Sequence, residues 1–122
     1  MKKTKKPFTP FELFGVDVHK GWWPIINPIF ERIQQLNAEG ADIKIIQVKE
    51  KFGDLCFYVQ NAPEEIHNMI SDAQKRCART CEDCGQPAQQ IVGEQEWIYT
   101  LCADCLRKRG IDVARTLEET DT

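Results

Sequence analysis

The sequence predicts a small α+β protein: a helix–hairpin–helix layer followed by a C-terminal four-cysteine module of the zinc-ribbon or treble-clef kind. Three observations predict it. Apolar residues recur at helical spacing in two stretches, 24–40 and 62–77. Between them, residues 43–60 switch to a two-residue period rich in β-branched and aromatic side chains. Two C-x-x-C pairs, at Cys81/Cys84 and Cys102/Cys105, follow the second helical stretch.

Residues 1–23 read as an irregular N-terminal arm. Pro7 and Pro10 interrupt it, Gly15 and Gly21 follow, and Phe8, Phe11, Leu13, Phe14 and Val16 carry enough apolar weight to pack part of it on the body. The basic start is followed by no apolar stretch of signal-peptide length, and no run approaches the ~20 residues a membrane span needs. A cytoplasmic location is therefore expected, with no membrane association.

The α+β body is expected over 24–78. Pro24 suits the first turn of a helix. Ile25, Ile29, Ile33 and Leu36 form its apolar stripe, Ile26 and Phe30 widen it, and Gly40 stops it. Pro28 lies inside this pattern, which places the regular start of the helix near Asn27-Pro28. Ile43, Ile45, Ile46 and Val48 form one strand, and Leu55, Phe57, Tyr58 and Val59 the next. Phe52-Gly53-Asp54 joins them, with Gly53 at a turn position requiring positive φ. Leu55, Phe57 and Val59 share one face, and Cys56 and Tyr58 the other. Ala62-Pro63-Glu64-Glu65 opens the second helix, whose buried face is Ile66, Met69, Ile70, Ala73 and Cys77. Two helices on one side of a short sheet would bury both stripes.

The metal module is expected over 79–110. Seventeen residues separate Cys84 from Cys102. Within them Ile91-Val92 and Trp97-Ile98-Tyr99 flank a polar turn, which reads as a second hairpin. Each C-x-x-C turn presents two sulfurs to one ion, and zinc takes four such ligands in a tetrahedron. Gly85 lets the backbone fold back under the ion. Leu106 to Arg109 suits a helical turn beside the second pair. One structural Zn2+ held by Cys81, Cys84, Cys102 and Cys105 is expected, with an iron centre as the other option for four thiolates. With all four positions taken by protein, none remains for water or substrate, so the ion does no chemistry. Cys56 and Cys77 read as small buried hydrophobes. Residues 111–122 are expected to extend a last helix from Ile111 to Leu117 before a polar end.

The 122 residues are 42% hydrophobic and 29% charged, which excludes a disordered chain, and the formal net charge is -3. Four thiolates and a divalent ion would take it about two units further negative. A basic partner surface is the better electrostatic match, and the cheap phosphate affinity of a basic protein is missing. Six cysteines also allow three disulfides, but their grouping in C-x-x-C pairs speaks for a metal.

Outside the cysteines, Trp22, Trp23, Lys49, Lys51 and Asp54 are the candidate partner-binding residues: a tryptophan pair suits an interface anchor, and the charged hairpin turn suits a binding loop. The structural reading is that the tryptophans staple the arm to the first helix and that the turn is merely solvated. Arg76 and Arg79 at the end of the second helix, with Arg107, Lys108 and Arg109, are the candidate nucleic-acid contacts. Acidic residues share that module. His19 follows Asp17 by two residues and His67 flanks the second helix's stripe, but no paired-acid, nucleophile–base, phosphate-loop or dinucleotide pattern occurs. No catalytic residue and no small-molecule substrate are expected.

Gly21-Trp22-Trp23-Pro24-Ile25-Ile26, the stretch Gln47 to Tyr58 containing Val48-Lys49-Glu50-Lys51-Phe52-Gly53, and the two cysteine pairs resemble a set of small bacterial and phage proteins of no known reaction. The resemblance covers about residues 20–106. It implies a prokaryotic or phage origin and a zinc-held end. Cys56 departs from it, standing where a basic residue is expected. The function expected from these readings is a non-enzymatic zinc-binding protein acting on a protein partner, of the immunity or antitoxin kind that neutralises a basic nuclease toxin. The alternative is a nucleic-acid-associated zinc ribbon with a regulatory role.

Overall fold

The computed structural model describes residues 16–116. The arm residues 1–15, Leu117 and the polar end lie outside the described residues. The described chain is mixed α+β with two small sheets and three helices. Strand β1 (Val16–Asp17) leads through a 3-10 turn at Lys20–Trp22 into helix α1 (Trp23–Ala38). Strands β2 (Lys44–Lys51) and β3 (Asp54–Gln60) form the first hairpin, and α2 runs Glu64–Cys77. Strands β4 (Gln89–Val92) and β5 (Ile98–Leu101) form the second hairpin. Helix α3 (Ala103–Arg109) and β6 (Arg115–Thr116) close the described chain.

Helix α1 starts at Trp23, not at Asn27. Pro28 sits inside it, exposed, and lacks the N–H that would bond back to the carbonyl one turn earlier. An interior proline costs about 3 kcal/mol. Burying Ile25, Ile26, Ile29, Phe30 and Ile33 contributes roughly 1.5–3 kcal/mol each and outweighs that cost. Gly40, at φ 112, stops the helix as expected.

The first sheet has the order β1-β2-β3, with β1 parallel and β3 antiparallel to β2. Lys51 pairs with Asp54, which leaves Phe52-Gly53 as a two-residue loop. Both residues have positive φ, 52 and 83, as a tight hairpin turn matching the strand twist requires. A register shift between Ile45 and Gln47 bulges Ile46 out of the ladder, and Ile46 faces solvent despite its β-branched, apolar character. Leu55 and Phe57 are buried under the helices, while Tyr58 on the opposite face is exposed. The Phe30 and Phe57 rings meet at 5.4 Å, and α2 lies against both α1 and β3.

The second sheet has the order β5-β4-β6, all antiparallel. Among the described residues 111–116 the expected C-terminal helix does not form. Gly110 adopts a left-handed φ of 70 and ends α3. The chain then turns back so that Ala114 donates to the Val92 carbonyl at 2.7 Å and β6 pairs with β4. Satisfying the open edge of β4 wins over a weak seven-residue helical pattern.

The body has one large apolar core running from Val18 to Cys77. The C-terminal region has a much smaller one, centred on Cys81, Leu101 and Cys105. A core of that size does not hold thirty residues by burial alone.

Candidate metal centre

The first cysteine pair lies on the loop after α2. Cys81 N–H donates to the Gln86 carbonyl at 2.7 Å, and Gly85 N–H donates to the Cys81 carbonyl at 2.9 Å. Gly85 has φ 84, which closes this turn at no cost in Cβ strain. The second pair straddles the start of α3: Cys102 is its N-cap residue and Cys105 lies within its first turn. The hairpin β4–β5 carries the chain from one pair to the other.

The four sulfurs lie within 4.8 Å of one another, with Cys84 and Cys102 at 3.6 Å. This is compatible with one metal ion held by all four. Cys81 and Cys105 are buried, Cys102 is half-buried and Cys84 is exposed, so the cluster sits at the surface. The Cys105 amide, directed at the Cys102 sulfur, brings that thiol down to about 7, whereas burial pushes Cys105 up. Lys108 and Asp104 border the same surface depression as Cys84 and Cys102. Cys77 stands apart from the cluster, fully buried, and burial raises its thiol to about 12. Cys56 is half-buried on the open face of the first sheet.

Two segments singled out in the sequence close on this module, one on the first knuckle and one on the hairpin β4–β5. Gly21 N–H donates to the Glu82 carbonyl at 2.9 Å. A Cβ at Gly21 would lie 2.2 Å from the Cys81 carbonyl oxygen, so only glycine allows this approach. Trp22 is fully buried and its indole Nε1–H donates to the Thr80 carbonyl at 2.8 Å. It is therefore a structural staple and presents nothing to a partner. Trp23 is half-buried, with its Nε1–H donating to the Val18 carbonyl at 3.3 Å.

The second segment is the hairpin turn. The Gly53 carbonyl accepts from Thr100 Oγ1 at 2.6 Å and from Gln90 Nε2 at 3.0 Å. Gln90 also donates to Asp54 Oδ1 at 2.7 Å. Glu50 Oε2 accepts from the Gly53 amide at 2.7 Å. The Gly53 carbonyl and Asp54 thus hold the turn against β4 and β5, while Glu50 braces the turn from within its own hairpin. Lys49 is half-buried beside Cys56, and Lys51 is exposed.

Glu82 is buried, and its Oε2 accepts from the Thr100 amide at 3.2 Å; burial raises its carboxyl despite that bond. Arg109 donates to both oxygens of Asp83, at 2.8 and 2.6 Å. His19 Nδ1 lies 2.7 Å from Asp83 Oδ1 and 2.9 Å from Arg109 Nη2. Burial opposes ionisation of Asp83, but the hydrogen bonds from Arg109 and His19 outweigh it and hold the carboxyl below its ordinary range. The hydrogen-bond partner of His19 is thus Asp83 on the metal knuckle. His67 is exposed on α2.

The basic residues divide. Arg109 is committed to Asp83, and Arg107 pairs with Asp104. Lys75, Arg76 and Arg79 are exposed at the end of α2 around a shallow depression. Two residues not anticipated as functional stand out. Phe52 and Trp97 are 50% and 49% exposed, and their rings meet edge to face at 5.8 Å. Phe52 belongs to the charged hairpin turn that the sequence offers as a binding loop, and Trp97 to the stretch that it offers as a strand.

No helix among the described residues is long and apolar enough to cross a membrane. No family model matches the chain, and no curated protein or solved structure is significantly similar to it.

Proposed function

We propose that the chain is a non-enzymatic zinc protein in which one Zn2+, held by Cys81, Cys84, Cys102 and Cys105, holds the C-terminal module together. Zinc–thiolate bonds of about 2.3 Å put tetrahedral sulfurs about 3.8 Å apart. The 3.6 Å between Cys84 and Cys102 suits that spacing. The order of knuckle, hairpin, then knuckle opening a helix suits a treble-clef-like module. A closed four-thiolate site leaves no open position, which supports a structural role. Metal analysis of purified protein is expected to find one equivalent of zinc, lost in Cys84→Ser. A full equivalent in that variant refutes the ligand set.

The function we propose is protein–protein interaction with a basic partner, of the kind by which an immunity protein neutralises a cationic nuclease toxin. The observation that carries it is the commitment of Arg109 to both oxygens of Asp83, which removes it from any phosphate-binding patch on an already acidic chain. Complementary charge would speed and orient such an encounter. The test is capture of the partner by the tagged, zinc-loaded chain, with a parallel assay for DNA and RNA binding. A basic protein in a stoichiometric complex, with toxin activity abolished on binding, supports the reading. Salt-sensitive nucleic-acid binding lost on Arg107/Lys108/Arg109→Ala replaces it with the regulatory alternative.

A further inference from the structure

The Phe52–Trp97 pair is built to be seen. Among the described residues four non-glycine positions have a left-handed backbone, and three of them, Phe52, Gln95 and Glu96, lie in the two turns that carry this pair. A bulky side chain in that conformation is strained, and asparagine is the residue such a turn prefers. Strain of this kind is retained where the position of a side chain matters. Here it places an aromatic ring from each sheet side by side, with half of each in solvent.

The pair is also rigidly held. The Gly53 carbonyl is gripped by Thr100 and Gln90, and a Cβ at Gly53 would lie only 3.0 Å from the Ile98 side chain. The first turn is thus clamped onto strands β4 and β5, with Trp97 immediately before β5, and a ligand meets a preformed surface. Around the rings the turns carry Glu50, Asp54, Glu94 and Glu96 against Lys49 and Lys51. That excess of carboxylates disfavours a nucleic-acid base as the stacking partner. It favours a guanidinium, which lies on an aromatic face and pairs with a carboxylate at once.

We infer that Phe52 and Trp97, with the flanking carboxylates of their two turns, form the docking surface for an arginine-bearing segment of a basic protein. This rests on the protein-partner reading and gives it a location. The surface depends on the metal module, because Trp97 and the residues gripping Gly53 all belong to it.

The test is a titration of the isotope-labelled, zinc-loaded full chain with an oligoarginine peptide, followed on the indole N–H resonances. The expected result is a shift of the Trp97 indole with the Trp22 indole unmoved. Phe52→Asn, which suits the turn and keeps the fold, and Trp97→Ala are each expected to weaken binding by about tenfold, the size of a desolvated cation–π contact. If oligoarginine binds both variants within about twofold of the parent, the surface is wrong while the basic-partner reading survives. If oligoarginine moves no resonance and oligothymidylate shifts Trp97 instead, both fail.

Discussion

Gly21→Ala tests whether the glycine–tryptophan segment is part of the metal site's support. The added methyl would lie 2.2 Å from the Cys81 carbonyl oxygen and 2.6 Å from the carbonyl carbon and oxygen of Glu82. These are backbone atoms of the knuckle, so no side-chain rotation relieves the clash. Overpacking against immobile atoms costs about 1–3 kcal/mol. Relief by separation also breaks the 2.9 Å bond from Gly21 to Glu82, worth about 1 kcal/mol. The expected loss is therefore about 2–4 kcal/mol, a large share of the 5–15 kcal/mol typical of a domain. At roughly 3–5 °C per kcal/mol for a chain of this size, the melting temperature falls by roughly 10 °C. Part of the loss surfaces as weaker zinc binding, because moving Cys81 disturbs the knuckle and metal binding is coupled to folding. Urea unfolding at fixed free zinc measures the first effect, and competition with a chelator the second. Gly110→Ala is the control: it meets nothing within 4 Å and carries only the cost of its left-handed φ, about 1–2 kcal/mol. If Gly21→Ala is no less stable than Gly110→Ala and keeps its zinc affinity, the close approach of the two segments is wrong.

Three further outcomes follow from the same contacts. Thr100→Val keeps the shape of a fully buried side chain but removes the donor to the Gly53 carbonyl, which retains Gln90. About 1–2 kcal/mol is expected, with faster amide exchange at Phe52 and Gly53; unchanged exchange there would contradict the clamp. Stripping zinc with a chelator is expected to remove amide protection across 79–110 while α1 and α2 keep their helical signal, since the small C-terminal core lacks other support; persistent protection in that segment counts against a structural ion. Arg32 joins α1 to α2 through both Glu65 oxygens, at 2.8 and 3.3 Å, and this hydrogen bond holds the Glu65 carboxyl below its ordinary value. A depressed folded-state pKa means the contribution is present above the unfolded value and lost as pH falls through the folded one. The stability difference between wild type and Glu65→Gln should therefore shrink as pH drops from roughly 5 to 3, measured as urea midpoints; a difference that grows in acid overturns the assignment.

What could be read from the sequence was whatever repeats locally. The stripes of α1 and α2, the alternation of β3, the positive φ of Gly53 and the C-x-x-C turns are all short-range patterns, and each is present. Of the adjacent tryptophans, Trp22 lies wholly inside the core while Trp23 packs half-buried at its margin. The bulge at Ile46 and the two-residue strand β6 left no trace, because one extra residue or one pair of rungs has no period. The larger blind spot is the clasp itself. Gly21 meets Cys81 and Glu82, Trp22 meets Thr80, and Gly53 meets Thr100 and Gln90 across dozens of residues, each contact ending on a backbone carbonyl that any sequence possesses. Such contacts show only indirectly, as a glycine where bulk would collide or a buried hydroxyl beside a metal ligand. That is why the two segments most conspicuous as binding motifs serve first to hold the metal module. What the hairpin turn offers outward is the half-exposed Phe52 ring, set edge to face against Trp97 of the second hairpin.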